Sequence, residues 1–346
     1  MHIPRPIASL ALILALTVAL TAPALAQAHT ILDQIWLPLL TQLRTTDVTP
    51  ETDSMAFAVN NQNQVAGTLF DPTDVLHAFI WTPGQGFQDI GPAGSRSEAQ
   101  GINDQGHVVG YMRPSTGPTR AFLWTPEEGI QDLGTPGGPG SSAKSINNHG
   151  QVVGNSWMTG RDEAFIWDAE TGMRALGTLG GPTSAAYDIN NNGQVVGYSE
   201  TESGKKHGFI WSAATGMQDL GTPEDQETIP FSINDSGHVV GWAFEPTGRR
   251  YSFLWTPETG LVDLLTRGCD LNTAAAINNR GQIAGEWEKD EEHWVAAFCH
   301  ANGPVVLLGS LGTGNSGAHA INDHGNIAGF SNLEPGTLIR STLWGS

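Results

Sequence analysis

Apolar residues in this chain fall in short runs, four to a unit, and the unit repeats. The stretch from 185 to 220 serves as the type: Ala185 to Asn190, then Gln194 to Ser199, His207 to Trp211 and Met217 to Leu220. Runs of this length bounded by Gly, Asn, Ser and Pro read as strands. Segments such as Ala164-Phe165-Ile166-Trp167 and Val195-Val196-Gly197 lack the apolar/polar alternation of a sheet with one wet face, so they predict strands covered on both sides. The break Asn191-Asn192-Gly193 offers residues that tolerate a positive φ, as a tight hairpin requires, and Thr256-Pro257-Glu258-Thr259-Gly260 has Pro and Gly placed for a second turn. Each unit therefore predicts a four-stranded antiparallel meander.

The unit recurs seven times. An Ile-Asn-x-x-Gly motif places Asn60, Asn103, Asn147, Asn190, Asn234, Asn278 and Asn322 at intervals of 43 or 44 residues. Trp81, Trp124, Trp167, Trp211 and Trp255 keep the same beat, followed by His300 in the Trp position and then Trp344. A period of 40 to 50 residues with short strands is the mark of an all-β seven-bladed β-propeller, whose blades bury their faces against each other. Small residues (Ala56, Ala99, Ala143, Ala186, Pro230, Ala274, Ala318) mark the first strand of each unit as innermost, where strands converge on the axis. The seventh unit stops at its third strand, with Leu343-Trp344. An N-terminal strand is expected to supply the missing outer one, and Leu39-Leu40-Thr41-Gln42-Leu43 resembles Gly216-Met217-Gln218-Asp219-Leu220. Closure leaves no open edge to invite pairing with other chains.

The strand carrying His77-Ala78-Phe79, with Gly-Met-Gln-Asp-Leu-Gly (216–221), Gly-Thr-Leu-Gly-Gly (177–181) and Ile-Asn-Asn-Asn-Gly-Gln-Val-Val-Gly (189–197), resembles the HAF-repeat family of bacterial extracellular proteins. The resemblance spans nearly all of the chain after residue 26. It implies an exported repeat protein and carries over no catalytic residues. Units six and seven depart from the motif at Phe298-Cys299-His300 and Thr342-Leu343-Trp344.

Residues 1–26 lie outside the repeat and read as a secretory leader: Arg5 begins it, Ile7 to Leu20 are apolar, and Ala24-Leu25-Ala26 has the small-x-small pattern of a cleavage site. Cleavage is expected after Ala26, with Ala28 as the alternative, leaving 27–346 as one periplasmic or secreted domain without a membrane span. The formal charge of −19, from 35 acidic and 16 basic residues, repels phosphate backbones and excludes nucleic acid as a natural partner. Cys269 and Cys299 are 30 positions apart. In an oxidising compartment they read either as a disulfide or as two buried thiols.

Candidate chemistry is sparse. Asp188-Ile189-Asn190-Asn191-Asn192-Gly193 matches the opening of an oxygen-rich Ca²⁺ loop, but its twelfth position is Ser199 and the other units keep the turn without the Asp. Ser232-Ile233-Asn234-Asp235 has its Asp one position late for an Asp box, and neither Gly-x-Ser-x-Gly nor His-Glu-x-x-His occurs. No catalytic residue, metal or cofactor is assigned. Binding has more support. Two positions before the Ile or Val of each inner strand, uniformity gives way to Phe57, Gln100, Lys144, Tyr187, Phe231, Ala275 and His319, a column expected to face the channel mouth. Loops between second and third strands add Trp157, Trp242, Trp287 and Trp294, expected on the same face. Aromatic faces with polar neighbours suit sugars or peptides. Packing variation explains the column, and inter-blade packing the Trp residues, equally well. The expectation is an exported monomeric binding or surface-interaction propeller for an extracellular carbohydrate or peptide; its rival is a glycan-active hydrolase or lyase.

Overall fold

The computed structural model describes residues 44–345 except 50–52, 72, 74, 136–137, 159–160, 222–225, 291–292 and 335–338. The leader at 1–26 and the segment Leu39 to Leu43 lie outside the described residues. Seven four-stranded antiparallel sheets form the blades of a β-propeller. They occupy 54–89, 95–132, 140–175, 180–219, 228–263 and 273–307, with the seventh built from 316–345 plus Arg44–Asp47. In the fourth blade the strands are Gly180–Ile189, Val195–Thr201, Lys206–Ser212 and Gly216–Asp219. Among the described residues the only helical segment is a short 3₁₀ turn, Leu264–Arg267, which follows the fifth blade.

Alternate side chains of one strand serve two interfaces. In Ala164-Phe165-Ile166-Trp167, Phe165 and Trp167 pack on Val109, Leu123 and Leu133 of the preceding blade. Ala164 and Ile166 face Ala186, Ile189 and Phe209 of the following one. Period-two geometry thus turns an unbroken apolar run into two half-cores, and no blade has a core of its own. The His of the repeat lies on the outer part of the blade: His77 Nδ1 contacts Asp89 Oδ2 at 2.8 Å, and His207 Nδ1 contacts Asp219 Oδ2 at 2.7 Å. The other oxygen of each Asp accepts from the amide of Gly91 or Gly221, so His-Ala-Phe and Asp-x-Gly are two halves of one cross-strand clasp.

That clasp also explains why the closing strand differs from the expected one. The outer strand of the seventh blade is Arg44–Asp47, downstream of Leu39 to Leu43. Asp47-Val48 occupies the place of Asp219-Leu220: the Thr49 amide donates to Asp47 Oδ1 (3.1 Å), and the Val48 amide donates to the Ser341 carbonyl (3.1 Å) as Leu220 does to Gly208 (2.9 Å). An Asp followed by one apolar residue sets the register, and the leucine-rich stretch upstream lacks that Asp.

Cys269 and Cys299 are joined, with Cα atoms 5.8 Å apart, tying the segment after the 3₁₀ turn to the third strand of blade six. Both are fully buried in the cluster between blades five and six. Blade six has the shortest outer strand, Val306–Leu307. Closing a 30-residue loop stabilises by about 3 to 4 kcal/mol in the chain-entropy account. His300, in the Trp position of this blade, is exposed, whereas Trp344 is fully buried.

Candidate ligand site in the central channel

Every inner strand breaks its register at the same place. The pairing skips one residue between Ala56 and Ala58, Ala143 and Ser145, Ala186 and Asp188, and likewise in the other four blades. The skipped residues are Phe57, Gln100, Lys144, Tyr187, Phe231, Ala275 and His319. A β-bulge leaves one residue without a ladder partner and re-aims its side chain. Facing each bulge is the Gly of the Val-Val-Gly run; a Cβ at Gly197 would sit 1.9 Å from the Ala185 carbonyl oxygen, so only Gly fits there. The seven bulged residues line a cavity of about 560 Å³ on the axis.

The cavity runs along the inner strands to the Asn turns. The bulged residue lies four positions before the last lining residue, which at about 3.3 Å per residue makes the wall roughly 13 Å deep. Phe57 stacks on His319 (5.3 Å between centroids, 12° between planes), and Tyr187 leans on Phe231 (6.1 Å) and Tyr198 (5.9 Å). His319 Nδ1–H donates to the Ala56 carbonyl (2.8 Å), and burial pushes its pKa down, which holds the imidazole neutral. Burial, with the Tyr198 hydroxyl nearby, pushes Tyr187 up to about 12.

Lys144 is the only Lys or Arg on the wall. Its Nζ donates to Gln100 Oε1 at 3.3 Å and lies 6.0 Å from the Tyr111 ring centre. Among the described residues it makes no ion pair; Glu98 attracts it from a distance and is hydrogen-bonded to the Tyr111 hydroxyl. Burial lowers the Lys144 pKa, and Glu98 opposes the shift. For a base held below its ordinary value, stability is unaffected above pH 10.5 and falls as pH drops from there toward the folded pKa, so the cost is larger at pH 7 than at pH 10.5. Lys144→Met should therefore raise the unfolding midpoint at pH 7. Melting curves at pH 7 and pH 10.5 check this: the gain should shrink at the higher pH, and a loss of stability at pH 7 would contradict it.

The rim carries two rings of side chains, the motif Asn residues and the residues that follow them. Each motif Asn donates from Nδ2 to the carbonyl of its counterpart in the next blade, from Asn60 to Asn103 (2.9 Å) round to Asn322 to Asn60 (2.8 Å). Its Oδ1 accepts two amides of its own turn, as from Asn192 (3.0 Å) and Gln194 (2.9 Å) in blade four. The fourth turn position has positive φ, filled by Gly in six units and by Asn63 (φ 60°) in the first. The next residue forms a second ring: Asn61, Asp104, Asn148, Asn191, Asp235, Asn279 and Asp323 each donate their amide to Oδ1 of the following member. Each of the three Asp has an Asn on both sides, so Asp104 Oδ2 accepts from Asn61 (3.1 Å) and Asn148 (2.8 Å). The signal was available, since this column holds only Asn or Asp in all seven units.

Asp188 is part of the wall. Oδ1 accepts from Ser145 (2.7 Å) and the Ile189 amide (2.9 Å), and Oδ2 from the Ile233 amide (2.9 Å), so it bridges blades three to five and does not open a cation loop. Burial raises its pKa against these hydrogen bonds. Among the described residues no cluster of His, Cys, Asp and Glu is arranged to hold a metal ion, and no helix is long and apolar enough to cross a membrane.

The structure separates the two groups of candidate residues. Phe57, Gln100, Lys144, Tyr187, Phe231 and His319 meet in the channel, open toward the turns between first and second strands; Trp157, Trp242, Trp287 and Trp294 are absent from that wall. Trp157 covers Gly140, Trp287 packs on the cluster between blades five and six, Trp242 packs edge-on to Phe244 under Arg250, and Trp294 is 39% exposed. A strand of fixed direction carries its bulge toward its own C-terminal turn, away from the second-to-third loops.

The chain matches no protein-family model and no curated protein. Solved structures share its fold. The propeller domain of the Trilobed protease from Pyrococcus furiosus aligns with TM-score 0.58 at 9% identity, over 89% of this chain and 94% of that one. The BP39L lectin from Burkholderia pseudomallei aligns with TM-score 0.51 at 10% identity, over 88% and 95%. A puromycin hydrolase aligns with TM-score 0.52 at 18% identity over 77% of this chain, which spans 46% of that protein's length. At these identities the likeness is one of fold: the chain is a seven-bladed β-propeller.

Proposed function

We infer that the chain is a binding propeller whose ligand, a carbohydrate or peptide, enters the central channel past the Asx rim. One observation carries the reading: the column where the repeat abandons uniformity is the column of bulged residues that lines the 560 Å³ cavity. Clefts of this size with apolar walls and a few converging polar groups are where small ligands bind. Bulged side chains are absent from the hydrophobic clusters between blades and touch one another along the wall, so the column varies more freely than the clusters do. Replacing Tyr187 and Phe231 by Ala should therefore abolish capture of a ligand found by screening glycans, peptides and cell-wall fragments, with the melting midpoint moving by no more than a few degrees. Unfolding of that double variant would make the column core and remove the binding reading. Turnover of the captured ligand in the same screen would favour the hydrolase or lyase instead. Export through the leader at 1–26 is part of the proposal; N-terminal sequencing of the mature protein should begin at Gln27 or His29, and an intact Met1 would contradict it.

A further inference from the structure

The cavity is electrically polarised along its axis. At the inner end Lys144 is a half-buried ammonium whose hydrogen-bond partner is a neutral amide, at 3.3 Å. Glu98 attracts it only from a distance, so an incoming anion gives a partly desolvated cation the direct partner it lacks among the described residues. At the mouth stand Asp104, Asp235 and Asp323. Each carboxylate accepts one backbone amide and two Asn side chains, as Asp235 does from Asn191 (3.1 Å) and Asn279 (3.0 Å), leaving one of about four acceptor positions open. A strongly anionic ligand meets three negative charges on the way in. A cationic one meets Lys144 at the bottom. A molecule with an anion at one end and a cation at the other satisfies both.

The dimension selects among such molecules. The wall is roughly 13 Å deep, and an extended peptide advances about 3.3 to 3.6 Å per residue, so three or four residues span it. Beside Lys144, on the same ring of bulged positions, lie the paired rings of Phe57 with His319 and of Tyr187 with Phe231, which offer apolar faces to the side chain of the C-terminal residue. Resting on the channel reading above, the geometry points to a short free peptide bound carboxyl end inward, its carboxylate on Lys144 and its amino terminus among Asp104, Asp235 and Asp323.

Calorimetric titration of the whole protein with Ala-Ala-Phe, its C-terminal amide, its N-acetyl form and tri-galacturonic acid tests this. The free peptide should bind, amidation should weaken it at least tenfold and N-acetylation at least severalfold. Lys144→Met, checked for folding by its melting curve, should bind the acid and the amide alike. Equal affinity for acid and amide in the unmodified protein overturns the proposal, as does full binding by Lys144→Met or by the N-acetyl form, or no binding of the free peptide. If tri-galacturonic acid binds instead and Tyr187→Ala/Phe231→Ala abolishes it, the peptide assignment fails while the channel reading stands. If peptide binding survives that double variant, both fail.

Discussion

Truncation through Thr49 is expected to destroy the ring, whereas truncation ending at residue 43, which keeps Arg44–Asp47, leaves its closure intact. The difference isolates the closing strand. Val48 is 1% exposed and packs with Val65, Leu69, Phe79 and Leu343, and the Arg340 guanidinium donates to the Thr49 carbonyl at 3.1 Å. The Thr49 and Ser54 hydroxyls share a hydrogen bond as well. Burial of Val48 contributes about 2 kcal/mol, each buried hydrogen bond about 1 kcal/mol, and stranded partners add to the loss, so about 5 kcal/mol or more is at stake. The seventh blade would also present a bare edge beside Leu343 and Trp344. Light scattering and chemical denaturation of the two truncations should give an aggregating, weakly cooperative protein for the longer deletion. Equal midpoints and a monomer in both cases would mean that Arg44–Asp47 does not close the ring.

Asn190→Ala, like loss of its counterparts in the ring, should be strongly damaging at the channel mouth. Asn190 is 4% exposed and makes four hydrogen bonds: to the Asn234 carbonyl (2.9 Å) and Gln194 Oε1 (2.8 Å) from Nδ2, and from the amides of Asn192 and Gln194 to Oδ1. Truncation strands a buried carbonyl and two partly buried turn amides, and at about 1 to 3 kcal/mol for each group left unmade the expected loss is about 3 to 5 kcal/mol. Asn192→Ala provides the comparison. That side chain is exposed and donates to the Asp235 carbonyl (2.7 Å), so its loss should cost about 1 kcal/mol or less. Guanidinium unfolding of the two variants measures the gap, and similar losses would show that the ring of motif Asn residues does not hold adjacent blades together.

The fold was legible because its determinants are periodic. Seven Asn turns at intervals of 43 or 44 residues, and runs such as Ala164 to Trp167 that serve two interfaces at once, define blade number, strand order and the double burial of each sheet. Closure was legible in kind and shifted in place. Leu39 to Leu43 resembles the outer strand in apolar content, while the register depends on an Asp that caps the next turn, and that Asp is Asp47. The channel column was visible as a break in uniformity, but its bulged geometry was not, because a bulge arises from pairing with a second strand whose Gly admits the displaced backbone. The loop Trp residues were read as partners of that column, since composition does not reveal toward which end of the inner strand a bulge points. The Asx rim escaped notice because its residues look like turn formers. Their second role, accepting the amide of the neighbouring blade around the axis, exists only once the blades are side by side.

The claim that the channel is the binding surface is tested most directly by NMR chemical-shift mapping with a captured ligand. Imidazole and aromatic resonances of His319, Phe57, Tyr187 and Phe231 should shift on saturation, while the indole N–H signals of Trp157, Trp242, Trp287 and Trp294 stay in place. Movement of those indoles with the channel signals unchanged would place the ligand on the opposite face and contradict the account.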